Sequence, residues 1–201
     1  MRFTHRYLVP VGLISGIIGI VGIAGCFTNR VEARRTLEGG VSVERGEYLV
    51  TVLACNDCHT PFVVGSNGPE PDMSRMLSGH PQELEMPAPP DLPEGPWIWM
   101  GASTNTAFAG PWGVSYAFNL TPDTNTGLGI WTEEMFVRAM RTGRHMGQSR
   151  TILPPMPWTA YSHLTEEDLK SIHAYLGSIP PIENQVPDAV LASDAGDESW
   201  E

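Results

Sequence analysis

Apolar positions recur at helical spacing in three stretches of the chain and lose that rhythm between them. The first follows Ser42, where Tyr48, Leu49, Val52 and Leu53 repeat with the helix period. This predicts a helix to about Ala54 with Ser42 as its N-cap. The second starts at Thr132 and runs through Met135, Phe136 and Met140 to Gly143, a residue suited to the left-handed turn that ends helices. In the third, Thr165 is the N-cap and Glu166, Glu167 and Asp168 fill the first turn, where carboxylates meet the positive helix end. Asp168 can close a variant capping box, and Leu164 and Leu169 hold the staple positions. Leu169, Ile172, His173 and Leu176 then recur on one side, and Pro180-Pro181 stops the helix. Gly46 is out of place inside the first helix, where it costs about 1 kcal/mol. Close approach of another helix would justify it, and the C-terminal helix is the candidate.

The long middle region, Pro61–Ile130, has no such period. Pro61–Gly113 holds ten prolines, which rules out a continuous helix. Val114–Asn119 suits a short strand, and Thr121–Gly129 has the Asn, Asp, Pro and Gly of turns. The pattern therefore predicts an all-α domain: three or more helices, long irregular Pro/Gly-rich loops and at most a short β-hairpin. No internal repeat is visible.

Charge separates the ends from the body. Arg2 and Arg6 precede an uncharged apolar run, Val11–Gly25, long enough for the hydrophobic part of an export signal. All 23 acidic residues follow position 25; twelve basic residues less those two leaves ten, a net of −13 for the remainder. Such a balance speaks against nucleic acid or an anionic lipid surface as partner and for a protein with a basic docking face. The run ends Ile23-Ala24-Gly25-Cys26, which resembles the lipobox of bacterial lipoproteins; by that resemblance the chain is cut just before Cys26, whose thiol carries a diacylglyceryl group. An uncleaved signal anchor is the alternative. Either way the body is tethered to a bacterial membrane on its periplasmic side. The expected organisation is a lipoprotein-type signal peptide (1–25), a tether (26–41), a folded domain (42–185) and an acidic, mobile tail (186–201).

The strongest chemistry lies at the end of the first helix, in Cys55-Asn56-Asp57-Cys58-His59. In a CxxCH run two thiols can each add to a vinyl group of one haem, and the following imidazole can bind its iron. Structural zinc would need further Cys or His ligands at suitable spacing, and the later histidines show none. A thioredoxin-like dithiol normally follows a strand, whereas here a helix leads in. With Cys55 and Cys58 so used, one covalent haem c is expected, with His59 as proximal ligand. A second axial ligand is sought among Met73, Met76, Met86, Met100, Met135, Met140, Met146 and Met156. Met135 and Met140 fall within helical periodicity and suit a core. Met156 stands in Leu153-Pro154-Pro155-Met156-Pro157, where flanking prolines reduce the entropy lost on holding a thioether at iron. Met146 is the runner-up, with His145 and His163 behind it.

Three segments extend this pattern: Asn119-Leu120-Thr121-Pro122-Asp123, Thr126-Gly127-Leu128-Gly129-Ile130-Trp131 and Pro154-Pro155-Met156-Pro157. Together with CxxCH they make Glu44–Pro181 resemble class I cytochromes c, in particular the monohaem units of bacterial membrane-associated dehydrogenases. The resemblance implies a cytochrome c-like haem domain, with haem on Cys55 and Cys58, His59 and Met156 axial, and Trp131 and Asn119 near the propionates. Gln82–Ala107 is longer than that family's pattern and suits a lid or docking surface. The implied function is single-electron transfer, as a tethered carrier or a cytochrome subunit of a respiratory or dehydrogenase chain. No catalytic residues, nucleic acid or small-molecule substrate are expected. The alternative is a haem enzyme or gas sensor in which Met156 leaves the iron.

Overall fold

The computed structural model describes residues 40–66, 68–89 and 95–192, all within one unit that begins at Gly40. The predicted signal segment, Cys26 and the end of the tail lie outside them. The three expected helices form with their expected caps. Helix α1 spans Val43–Val52, and Ser42 Oγ accepts from Arg45 N at 3.1 Å. A short helix, α2, holds Cys55–His59. Helix α3, Glu133–Thr142, has Thr132 Oγ1 accepting from Met135 N at 3.2 Å and ends on Gly143 in the left-handed region. A one-turn helix, α4, covers Trp158–Tyr161. Helix α5, Glu166–Leu176, has Thr165 Oγ1 accepting from Asp168 N at 3.1 Å. Each such cap contributes about 1 kcal/mol.

Helices α1 and α5 cross at Gly46. A Cβ there would lie 2.0 Å from the Ser171 carbonyl oxygen and 2.7 Å from Tyr175 Cβ, so only glycine permits this approach. The crossing also turns α1. Its buried positions are Gly46, Leu49 and Val50, while Tyr48 and Val52, expected inside, are exposed. Burying Gly46 rotates the helix so that the face i, i+3, i+4 from that residue faces the core. Asp168 forms no reciprocal capping box; its carboxylate takes Arg45 Nε across the crossing at 2.9 Å. The core joins these helices to α3 through Leu49, Val50, Trp131, Phe136, Ala139, Ile172 and Leu176.

The expectation of at most one short hairpin is exceeded. Strands β1 (Phe62–Gly65) and β2 (Gly68–Pro71) form an antiparallel pair. Strands β3 (Met100–Gly101), β4 (Ala107–Gly110), β5 (Gly113–Tyr116) and β6 (Val190–Leu191) form a four-stranded antiparallel sheet in that order. The described chain is thus helices plus two small sheets rather than purely α. These strands are two to four residues long and rich in Gly, Ala and Pro, too short for a period of two to show. Within the expected tail, Val190 and Leu191 form β6 and pair with β5.

Candidate functional site

Helix α1 ends at Leu53, and Ala54 at φ 58° and ψ 35° swings the chain into α2. A left-handed alanine is uncommon, and the surroundings hold it. Tyr161 donates its hydroxyl to the Leu53 carbonyl at 2.6 Å. On the far side of α2, Thr60 Oγ1 donates to Asn56 Oδ1 at 2.8 Å and accepts from Leu77 N at 2.8 Å. The two cysteines are therefore clamped at both ends of their turn.

His59 is buried, and its Nδ1 lies 2.7 Å from the Phe118 carbonyl oxygen. A carbonyl only accepts, so Nδ1 carries the proton and Nε2 keeps its lone pair. Burial lowers the pKa of His59, against the opposing pull of that hydrogen bond, and favours the neutral ring. Burial also raises Cys55 to about 12 and pushes Cys58 upward. Both thiols are unpaired. They are neutral at ordinary pH, unlike the lowered-pKa thiolates of reactive dithiols. Among the described residues no three His, Cys, Asp or Glu side chains converge as a chelating set.

All three residues line one cavity of about 370 Å³. Its walls also include Phe108, Phe118, Leu120, Leu128, Trp131, Phe136 and Met140, the loop Ile152–Pro157 and Gln185–Ala189. Of the eight candidate methionines, Met140 and Met156 reach this lining. Met140 belongs to α3 and also packs on the core, as its periodicity suggested. Met156 stands on a loop tied down by Ile152 N to the Gly143 carbonyl (2.8 Å) and Ser115 Oγ to the Pro154 carbonyl (2.6 Å). Met146 packs against the core and His163 is exposed, both away from the lining.

The proteins with sequence similarity to this chain fit that cavity. Over 75% of its length it is 29% identical to the fructose dehydrogenase cytochrome subunit of Gluconobacter japonicus, covering 24% of that protein. Over 66% of its length it is 28% identical to the gluconate 2-dehydrogenase cytochrome c subunit of Pantoea cypripedii, covering 22% of it. Over 82% it is 27% identical to a diheme cytochrome c-type protein of Cereibacter sphaeroides, covering 46% of it. Its relatives include cytochrome c subunits of bacterial dehydrogenases. The chain spans about a quarter of the two dehydrogenase subunits and under half of the diheme protein. No family model matches it.

The cavity residues fit a covalently held haem c, the group that cytochrome c relatives imply. The volume lies within the roughly 300–1,000 Å³ of cofactor pockets. Two thiols and an imidazole with a free lone pair open on it. His145 adds a further feature: its Nε2 is buried without a hydrogen-bond partner in the described chain. Its ring stands edge-on to Trp131 (4.9 Å, 90°) and Phe118 (5.2 Å, 84°) in the cavity wall. An unpartnered polar nitrogen in an apolar wall suits a polar group of the occupant, and in the Nε2–H tautomer it could donate to a carboxylate such as a propionate.

Of the two residues that the resemblance would set near the propionates, Trp131 lines the cavity and Asn119 is not in its lining. Its amide is consumed structurally: Oδ1 accepts from Thr121 N and Oγ1, and Nδ2 donates to the Ile182 carbonyl at 2.8 Å. Sequence reasoning missed the Tyr161 clamp and the Gln185–Ala189 wall, which have no local signature. His145 was considered only as a weaker axial candidate.

Proposed function

We propose that this chain carries one covalent haem c and transfers single electrons with it, as a membrane-tethered carrier or the cytochrome subunit of a dehydrogenase chain. The observation that carries this is the shared cavity: His59, with Nδ1 tied to Phe118, opens on the same apolar space as Cys55, Cys58 and Met156. Cys55 and Cys58 would hold the haem through thioethers, and His59 and Met156 would supply its iron ligands. Haem supplies an iron that alternates between ferric and ferrous forms. The Phe118 carbonyl sets the tautomer and orientation of His59, as second-shell partners of metal-bound histidines do. The apolar wall limits water, and His145 and Trp131 in that wall are the side chains that could hydrogen-bond the propionates of a bound haem. One CxxCH in the sequence argues for one haem, although a relative carries two. With His59 and Met156 both engaged by a haem, the iron would offer no open position to a small substrate.

The proposal extends to location. Cys26 carries lipid and holds the domain on the periplasmic side of a membrane. No helix among the described residues is long and apolar enough to cross one. Cys26→Ser should move the protein from the membrane fraction to the soluble one with haem attachment intact. Continued membrane retention would point to an uncleaved signal anchor.

The haem reading is tested on the purified full chain. Haem should stay with the polypeptide through a denaturing gel, at one iron per chain. The oxidised protein should show the weak far-red band of methionine–iron coordination. Haem that washes out on denaturation would sink the proposal, and a high-spin spectrum would turn it toward the displaced-methionine alternative.

A further inference from the structure

From Gly95 to Pro122 the chain has no Asp, Glu, Lys, Arg or His, in a protein of net charge −11. This uncharged stretch contains the most exposed aromatic run among the described residues, with Trp97 71%, Ile98 65% and Trp99 43% exposed. The run leads directly into β3, which is the outer strand of its sheet. Behind it, Trp99 packs edge-on against Phe108, with ring centroids 5.9 Å apart. Phe108 is buried and lines the main cavity. It also lines a second, apolar hollow of about 220 Å³ whose walls include Met86, Pro87 and Met100. One aromatic side chain thus links the exposed run to the cavity that holds the cysteines and His59.

Soluble proteins seldom leave several adjoining large apolar side chains in water without a use. Tryptophans are also the side chains that most often dominate protein interfaces. Many of the acidic residues that set the net charge lie on the helices, among them Glu44 and Glu47 on α1, Glu133 and Glu134 on α3, and Glu166 and Glu167 on α5, while Glu83 and Glu85 precede Met86 of the hollow. The only charged aliphatic or guanidinium groups in the main cavity lining, Arg150 and Asp188, have opposite signs. A partner ringed by lysines would find no counter-charges within this stretch. We infer that Trp97–Trp99 and the adjoining hollow form the docking face for a redox protein with an uncharged, apolar patch. The acidic helices play no part in that contact. This rests on the electron-transfer reading above and replaces the basic-faced partner expected from net charge alone.

The test uses the haem-loaded full chain and the double variant Trp97→Ser, Ile98→Ser; both positions are exposed, so the fold should tolerate them. The exposed Val64→Ser on the β1–β2 pair is the control. Electron exchange is followed with a blue-copper protein whose docking patch is uncharged and apolar. The double variant should exchange about ten-fold more slowly, as loss of an aromatic anchor implies. Reduction by ascorbate, which needs no docking face, should not change, and Val64→Ser should behave as the parent. The parent rate should change less than about two-fold as salt rises to physiological strength. Equal rates in parent and double variant overturn the inference. So does unchanged exchange with loss of binding to phosphatidylcholine vesicles, which would assign the face to a bilayer. Unchanged exchange with loss of self-association in sedimentation would assign it to a second copy. A parent without covalent haem fails the electron-transfer reading instead, and its absorption spectrum shows that separately.

Discussion

At the residue scale, His59 has one nitrogen held and one free. The Phe118 carbonyl takes Nδ1–H at 2.7 Å, which leaves the Nε2 lone pair available for the proposed iron ligation. Met156→Ala should keep the covalent haem but lower its reduction potential, by on the order of 100 mV within the roughly 0.8 V that axial ligands span. An exogenous ligand such as imidazole should then bind at the opened position. If Met146→Ala did this and Met156→Ala did not, the axial assignment would be wrong. A different buried histidine contributes to acid sensitivity. His80 is fully buried, with Nε2–H donating to the Leu84 carbonyl (3.1 Å) and Nδ1 accepting from Thr106 Oγ1 (2.9 Å). Burial lowers its pKa below the ordinary 6.5, against smaller opposing contributions from the Leu84 carbonyl and Glu83. The unfolded chain therefore binds a proton there before the folded one does. The stability from neutral His80 is complete above about pH 6.5 and is lost as pH falls toward its folded value. Urea midpoints measured between about pH 7 and 5 should drop less steeply in His80→Gln than in the parent.

At the scale of elements, the α1–α5 crossing sets which face of α1 is inside. Two backbones meet at Gly46, and the partner atom at 2.0 Å from a virtual Cβ is a carbonyl oxygen that cannot swing away. Gly46→Ala should cost about 3 kcal/mol, the upper part of the range for overpacked sites, despite alanine's better helix propensity. Thermal unfolding reads this directly, and an unchanged or raised midpoint would contradict the crossing. The Arg45–Asp168 pair beside it is partly exposed and contributes no more than about 1 kcal/mol. Packing, not charge, holds the two helices together.

At the scale of the whole molecule, buried amides join segments far apart in the chain. Asn184 donates to the Ser78 and His80 carbonyls at 2.7 and 2.8 Å and accepts from Gln82 N at 2.9 Å. Asn119 and Thr121 tie the turn after Phe118 to the Ile182 carbonyl. These contacts bring the chain after α5 back over the middle region, where Gln185–Ala189 close the cavity wall and β6 joins β5. Asn184→Ala would leave buried backbone groups without partners, and each costs about 1–3 kcal/mol. Unfolding should occur at a distinctly lower urea concentration, and the haem spectrum of the loaded variant should be more easily disturbed by denaturant than that of the parent.

Local chemistry was legible from the residues alone. Ser42, Thr132 and Thr165 cap the helices as their hydroxyls and positions require, and Cys55, Cys58 and His59 are adjacent because the motif is contiguous. Gly46 was legible as a crossing point because a glycine in a helix needs a reason. Its consequence was not: Tyr48 and Val52 have the right period, but only contact with α5 turns them outward. Likewise Asn119 fits a motif by sequence, and its hydrogen bonds assign it to the scaffold. Short strands, the Tyr161 clamp and His145 in the cavity wall depend on partners far along the chain, 108 residues away for Tyr161 and Leu53, which no local period encodes. The sequence by itself determined helix caps and the thiol–imidazole chemistry, because those act within a few residues along the chain. Tertiary structure alone decided which methionines reach the cavity, which helix face is buried and that the uncharged aromatic run adjoins the cavity wall, because each depends on segments meeting in space.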